Sequence, residues 1–354
     1  MENYSYHSRV RLENFTVFKE ATFEFCPGVN AIIGENGTGK THLLKAMYAA
    51  QRPHSRLVSS TLVALQQLFQ IADVSGLCRT NYRGKATEAT ICGEFGATKW
   101  SFCVARDTTR TDEFMDRGNP VFIPAMDMMG HTKGFQQAYN GVFLDFDLSC
   151  YDVVDKFLLK RRPEDGAVRE TAVAHDNYVQ PGRDNNLDLG QILGGKVTDD
   201  PTTGRFTLET QDGSFEMPLV GEGIRKIASL VRLEDNNWLT PGSTLYWDEP
   251  EANLNPVLMQ GVVAEILRLA RTGLQVFITT HSYVILKELD LQASTRDTVR
   301  YFSLYGSKEN GTQITTTDDF TSVSPNAILN EYSSLYDREL SRATGRTSNG
   351  ERIR

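Results

Sequence analysis

A chain of 354 residues, 40% hydrophobic and 10% aromatic, carries enough apolar material for one large core or two modest ones, which excludes a disordered chain. Its formal net charge of -8 excludes a surface that is basic throughout and leaves only a local basic groove open for nucleic acid. No stretch approaches the roughly 18 uninterrupted apolar residues of a membrane span, and Cys26, Cys78, Cys92, Cys103 and Cys150 are scattered, so a soluble, cytoplasmic chain with reduced thiols is expected, with no membrane partner.

Residues 8–33 predict three short strands, VRLENF, ATFEF and VNAIIG, the last introduced by the turn Cys26-Pro27-Gly28. A helix follows over 41–51, with Leu43, Leu44, Ala46 and Met47 on one face, and a second over 57–71. ATICGEF, KWSFCVA and PVFIPA read as further strands. The pattern then weakens. Residues 126–217 are read as an inserted α+β lid holding one helix over 152–162, loops at RRPEDG and QPGRDNN, and a small β-meander through KVTDD, GRFTLET and GSFEMPL. Lys160-Arg161-Arg162 on that helix reads as a solvated face, with a nucleic-acid backbone as the sharper alternative. Met126, Met128 and Met129 read as packing, as do Trp100, Trp238 and Trp247.

Regular alternation returns with a helix over 222–234, strand TLYW, a helix over 256–271, strand QVFITT and a helix after His281, which predicts a mainly parallel sheet. Strands near VRYFSL and TQITTT, a helix over 325–343 and a polar tail complete the chain. The expected divisions are 1–125, the first part of an α/β domain; 126–217, the lid; 218–343, its second part; and 344–354, a tail.

The strongest chemical signal is Gly34-Glu35-Asn36-Gly37-Thr38-Gly39-Lys40-Thr41, a complete G-x-x-x-x-G-K-[ST] motif between an apolar strand and a helix. Glycines let backbone N–H groups form a concave row at a helix N-terminus, which is what phosphates require. Asn36 to His42 therefore form the expected nucleotide cradle. Lys40 would neutralise the β- and γ-phosphates, and the Thr41 hydroxyl would ligate Mg²⁺. A second apolar strand, LYW, delivers Asp248, placed to hold the metal, and Glu249, placed to take a proton from water. Glu251-Ala252-Asn253-Leu254-Asn255-Pro256 follows, with Pro256 suited to a first helical position. A third apolar strand ends in Thr279-Thr280-His281-Ser282, where His281 is read as a sensor of the γ-phosphate.

This order of motifs resembles the ABC-type ATPase head of the RecF, SMC and OLD-family proteins, in the AAA_15/AAA_21 group. The opening Leu12-Glu13-Asn14-Phe15 resembles their L-x-N-F first strand, and Asn36-Gly37-x-Gly39-Lys40 resembles their N-G-x-G-K loop. The match is good over 8–50 and 218–290 and poor between. It implies an ABC-type α/β head that hydrolyses Mg-ATP, sandwiched between two copies, each offering a signature motif to the other. Here the chain departs from the pattern: Gly221 stands where the family has serine, followed by Glu222, Gly223, Arg225 and Lys226. The backbone at Gly223, with Arg225 or Lys226, is left to make the contact across the dimer. No Q-loop glutamine is recognised, and Asp127 occupies that region.

With no nuclease, protease, kinase or helicase signature outside the head, the expected output is a conformational change that acts on a separate effector, in a bacterial anti-phage system. RecF-like DNA repair is the alternative. The ATP-binding subunit of a membrane transporter and a nucleotide-binding module without turnover rank below both.

Overall fold

Strand Val29–Gly34 carries six consecutive buried residues, as a strand covered on both faces must. In the computed structural model, which describes residues 4–55, 57–81, 84–85, 88–105, 110–112, 118–141, 145–161, 189–200, 202–307 and 311–344, it lies inside a six-stranded sheet. The order across that sheet is Gly311–Thr317, Val299–Ser307, Val29–Gly34, Gln275–Thr280, Ser243–Asp248 and Asn119–Ile123. All neighbours pair in parallel except the edge strand Gly311–Thr317, which is antiparallel.

Successive side chains point to opposite faces of the sheet, so it divides the interior into two cores. On one face Ile32, Phe122, Tyr246, Phe277 and Phe302 share a cluster with the helix Lys40–Gln51 and a five-stranded antiparallel sheet. On the other, Ile33, Leu245, Trp247, Val276 and Ile278 meet the helices Glu222–Asp235, Pro256–Arg271 and Tyr283–Gln292. The antiparallel sheet runs Phe18–Glu24, His7–Phe15, Glu88–Phe95, Thr98–Ala105 and Arg110–Asp112. The expected ABC-type α/β architecture, a mainly parallel sheet with flanking helices and an antiparallel subdomain, is what the chain forms.

Two helices differ from expectation, and the β-meander falls where it was expected. The helix expected over 152–162 spans Leu148–Leu158, because Asp147 caps it by accepting from the Ser149 N–H and Leu159 is already extended. Lys160 and Arg161 therefore lie beyond the helix, where the Arg161 N–H donates to the Asn236 carbonyl; Arg162 is outside the described residues. The helix expected over 57–71 is Thr61–Phe69, capped by Ser60 and ended by left-handed Gln70. The meander is Gly195–Asp200, Arg205–Thr210 and Gly213–Glu216. Val197, Phe206 and Leu208 of the meander and Val153 and Phe157 of the preceding helix bury in the same cluster as Ile227 and Leu230. The RRPEDG loop after Arg161, the QPGRDNN loop and the tail from 345 fall outside the described residues.

Two buried polar clusters fix the layers to each other. Arg52 at the end of the helix Lys40–Gln51 donates twice to Asp152, at 2.6 and 2.7 Å, and the Tyr48 hydroxyl donates to the same carboxylate. His7, on the antiparallel sheet, exchanges backbone hydrogen bonds of 2.7 Å with the Gln275 side chain, and its Nε2 lies 2.9 Å from the Tyr246 hydroxyl. That hydroxyl also donates to Gln51.

Burial pushes the fully enclosed His7 imidazole down to about 4, against a weaker opposing pull from its Gln51 hydrogen bond. Between pH 4 and 6.5 the unfolded chain thus binds a proton that the native chain refuses, so stability falls as pH drops through that window. His42, pushed down to about 4 mainly by burial, acts in the same direction. His7 alone accounts for a loss of roughly 3 kcal/mol by pH 4. Urea denaturation at pH 6.5 and 4.5 measures this loss, and a His7→Gln variant should show a visibly shallower dependence on pH.

Candidate functional site

The loop between strand Val29–Gly34 and helix Lys40–Gln51 is held open by backbone that only glycine adopts freely. Gly34 and Gly39 have φ of 146° and 95°, and a Cβ on Gly39 would lie 2.6 Å from Val17 and 2.7 Å from Phe18. Asn36 and Gly37 form the exposed tip, while Thr38 is buried, its hydroxyl donating to the Glu35 carbonyl and its own carbonyl accepting from Thr312. The first intrahelical bond runs from the Leu43 N–H to the Gly39 carbonyl, which leaves the N–H groups of Lys40, Thr41 and His42 without helical partners. A row of donors at the positive end of a helix is a phosphate site.

Lys40 folds back over the loop, its ammonium donating to the carbonyls of Gly34 and Glu35 at 2.9 Å each. Burial pushes it down to about 8, against the pull of Glu249, Asp248 and Glu251. The His42 ring turns away to meet Phe69 edge-on at 5.2 Å, so its contribution to the cradle is the backbone.

Register brings the acidic residues to this loop. Asp248 pairs with Thr279 across the parallel sheet, and strand Gln275–Thr280 pairs in turn with Val29–Gly34. The Thr41 hydroxyl lies 3.0 Å from both carboxylate oxygens of Asp248, and burial raises that carboxyl above its ordinary range. Thr279 donates its hydroxyl to Asp248 and receives the Glu249 N–H at 3.1 Å. Glu249 adopts φ 49°, turning away from the strand direction, and its Oε1 comes within 3.3 Å of His281 Nε2. Hydroxyl and carboxylate oxygens converging beside a phosphate site are the donor set that Mg²⁺ takes. The residues fit that ion.

Sequence reasoning placed Glu251 and Asp127 by motif position but missed their contacts, and missed the role of Thr279 altogether. Thr279 carries no motif of its own, and its role depends on strand register. Glu251 accepts from the His281 backbone N–H at 2.6 Å and from the Thr280 hydroxyl, tying the loop after Glu249 to the end of strand Gln275–Thr280. Asp127 accepts from Arg225 Nε and from the backbone N–H groups of Met129 and Gly130.

The helix Glu222–Asp235 opens at Gly221, where a Cβ would meet nothing within 4 Å. Gly223 packs against Leu254, and Glu222 accepts from Asn253 at 2.7 Å. Arg225 also donates to the Val220 carbonyl, and Lys226 donates to the Glu249 carbonyl from a buried position that lowers its ordinary value. Both cations are thus engaged within their own chain, which leaves the exposed helix start at Gly221 as the part free to face a neighbour. Asn255 caps the helix Pro256–Arg271, with Pro256 at its first turn as expected.

Comparison with known proteins agrees with this geometry. A family model described as "AAA domain, putative AbiEii toxin, Type IV TA system" matches residues 151–287, and one described as "AAA domain" matches residues 9–50. Over these two segments the chain resembles the P-loop ATPases of the RecF/SMC group. Among curated RecF/SMC-like proteins, the DNA replication and repair protein RecF of Staphylococcus haemolyticus is 35% identical over 74 residues, 21% of this chain and 19% of that protein. RecF of Acidothermus cellulolyticus is 40% identical over 60 residues, 16% of each chain. These matches span about a fifth or less of the curated relatives' own length. Two SMC structures share the fold. An Smc head bound to the C-winged helix domain of ScpA has a TM-score of 0.54 at 13% identity, covering 88% of this chain and 97% of that one. The Smc head with a coiled coil and joint derived from Pyrococcus yayanosii has a TM-score of 0.55 at 9% identity, covering 94% and 100%. Among the described residues, no helix is long and apolar enough to cross a membrane.

The state of Lys40 gives the site a pH signature. A bound phosphate favours the ammonium, so above about 8 nucleotide must bring a proton with it and affinity falls. Calorimetry should show about tenfold weaker ATP binding at pH 9 than at pH 7. Lys40→Ala should abolish tight binding at both.

Proposed function

We propose that this chain hydrolyses Mg-ATP between two copies of itself and uses the cycle to control a separate partner. The observation that carries the reading is the meeting of Lys40, Thr41, Asp248, Glu249 and His281 at the ends of three adjacent parallel strands. Lys40 leaves its backbone carbonyls for the β- and γ-phosphates, and the free N–H groups from Lys40 to His42 complete the cradle. Thr41 and Asp248 would hold Mg²⁺, which would supply positive charge to offset the charge of the phosphates. The Glu249 carboxylate takes the proton of the attacking water, and His281, set in place through Glu251, faces the γ-phosphate side. Across the dimer the helix start at Gly221 and Gly223 supplies backbone donors.

The setting that we favour is control of an effector on another chain in bacterial anti-phage defence. It is supported by the absence of a second catalytic signature in the sequence and by the toxin–antitoxin description of the family model over 151–287. Local identity to RecF favours a second reading, DNA repair. Gapped duplex DNA separates the two: several-fold stimulation of ATP hydrolysis by DNA alone supports repair, and indifference to DNA supports a protein effector.

Two substitutions test the chemistry and the pairing. Glu249→Gln should retain ATP binding and lower turnover by roughly 10² to 10⁴-fold. With hydrolysis blocked, Mg-ATP should drive this variant into dimers detectable by light scattering. Because a side chain at residue 221 meets open space, Gly221→Ser in that background should strengthen association by restoring a hydroxyl donor, and Gly221→Glu should prevent it. Association that ignores both substitutions would remove the signature helix from the nucleotide interface.

A further inference from the structure

We infer that the helix Ala327–Thr344 is a second contact between two copies of this chain, antiparallel and independent of nucleotide. None of its eighteen residues is buried, yet one stripe is apolar. Leu329, Tyr332, Tyr336 and Leu340 recur at spacings of three and four, with Leu335 beside Tyr336 on the same face of a 3.6-residue helix and Glu339 the one charge within that face. The first half of the helix leans on the body: Ile328 packs against the core, and the Tyr332 ring lies 4.9 Å from Tyr283. Further along, Leu335, Tyr336 and Leu340 are 53%, 65% and 48% exposed. An apolar stripe of this kind, flanked by charges, is the pattern of a helix that pairs with another helix.

Charge selects the occupant. Glu331 and Arg338 share one flank of the stripe, joined at 3.0 Å, and Arg342 follows one turn later on the same flank. That flank therefore runs from acid to base along the helix. In an antiparallel pair, equivalent flanks face each other, so a second copy sets its Arg338 and Arg342 against Glu331 and its Glu331 against Arg338 and Arg342. The twofold relation satisfies both ends at once. A parallel copy would present the opposite flank, where Ser333, Asp337 and Thr344 offer no cation. At 1.5 Å per residue the helix is about 27 Å long, so the contact is smaller than the roughly 800 Å² per partner of standard interfaces and the dimer is expected in the micromolar range.

Sedimentation velocity of the full chain without nucleotide, over rising concentration, should show a reversible dimer. Leu335→Glu combined with Tyr336→Glu should leave a monomer with unchanged thermal stability, since neither side chain is buried. Glu331→Lys alone, and Arg338→Glu with Arg342→Glu, should each weaken self-association roughly tenfold. Mixed in equal amounts, these two variants should form a heterodimer of wild-type affinity, because each then supplies what the other lacks. A wild-type chain that stays monomeric at every concentration overturns the inference and leaves the stripe to a different protein. A mixture that fails to recover affinity overturns the antiparallel arrangement. The inference stands apart from the nucleotide sandwich: Leu335→Glu with Tyr336→Glu, placed in Glu249→Gln, should still pair when Mg-ATP is added.

Discussion

Thr279 is one residue with a small side chain, and the arrangement of the acidic residues beside the phosphate loop hangs on where it sits. Parallel pairing places it beside Asp248, so its hydroxyl holds that carboxylate while its oxygen receives the Glu249 N–H. Asp248 in turn reaches Thr41 across to the phosphate loop. A slip of one residue in strand Gln275–Thr280 would turn Thr279 to the other face and take its hydroxyl away from Asp248 and from the Glu249 N–H. The continuous burial of that strand and its two neighbours keeps the register from slipping.

Around this hinge the charges are arranged in cis. Asp248, Glu249 and Glu251 crowd one end of the sheet, and Lys40 and Lys226 are buried beside them. Neither lysine reaches a carboxylate directly; each donates to backbone carbonyls, Lys40 at Gly34 and Glu35 and Lys226 at Glu249. Burial weakens their hold on the proton while the carboxylates strengthen it. Lys40 is thereby kept at a position from which a polyanion can claim it, whereas Lys226 acts as a brace under the turn that carries Glu249.

What could be read from sequence was what is contiguous. The phosphate loop, the paired acids and the strand that ends in His281 are short runs whose neighbours in the chain are their neighbours in space. The roles of Thr279, Glu251 and Asp127 depend on contacts between distant segments and leave no local pattern. Arg225 and Lys226 looked available for a neighbour because charged residues after a glycine at a helix start are usually solvated. The helix instead rolls their side to Asp127 and the Glu249 carbonyl. The inserted helix was placed four residues late because its apolar positions continue past Leu158, while the cap at Asp147 sits in an Asp-Leu-Ser run with no Glu or Gln three residues on.

Gly39 has a consequence beyond the loop that it bends. The space its missing side chain leaves is filled by Val17 and Phe18, the turn that joins the first two strands of the antiparallel sheet. The same turn is sewn to its surroundings by the Thr16 N–H on the Leu77 carbonyl and by the Val17 carbonyl, which takes the Thr312 N–H. Any tightening of the phosphate loop is therefore felt first as pressure on a hairpin that belongs to a different sheet. The antiparallel layer is in effect a strain gauge for the nucleotide pocket, and the amides of Thr16 and Thr312, which hold that turn, are where slower hydrogen exchange would register that the pocket is full.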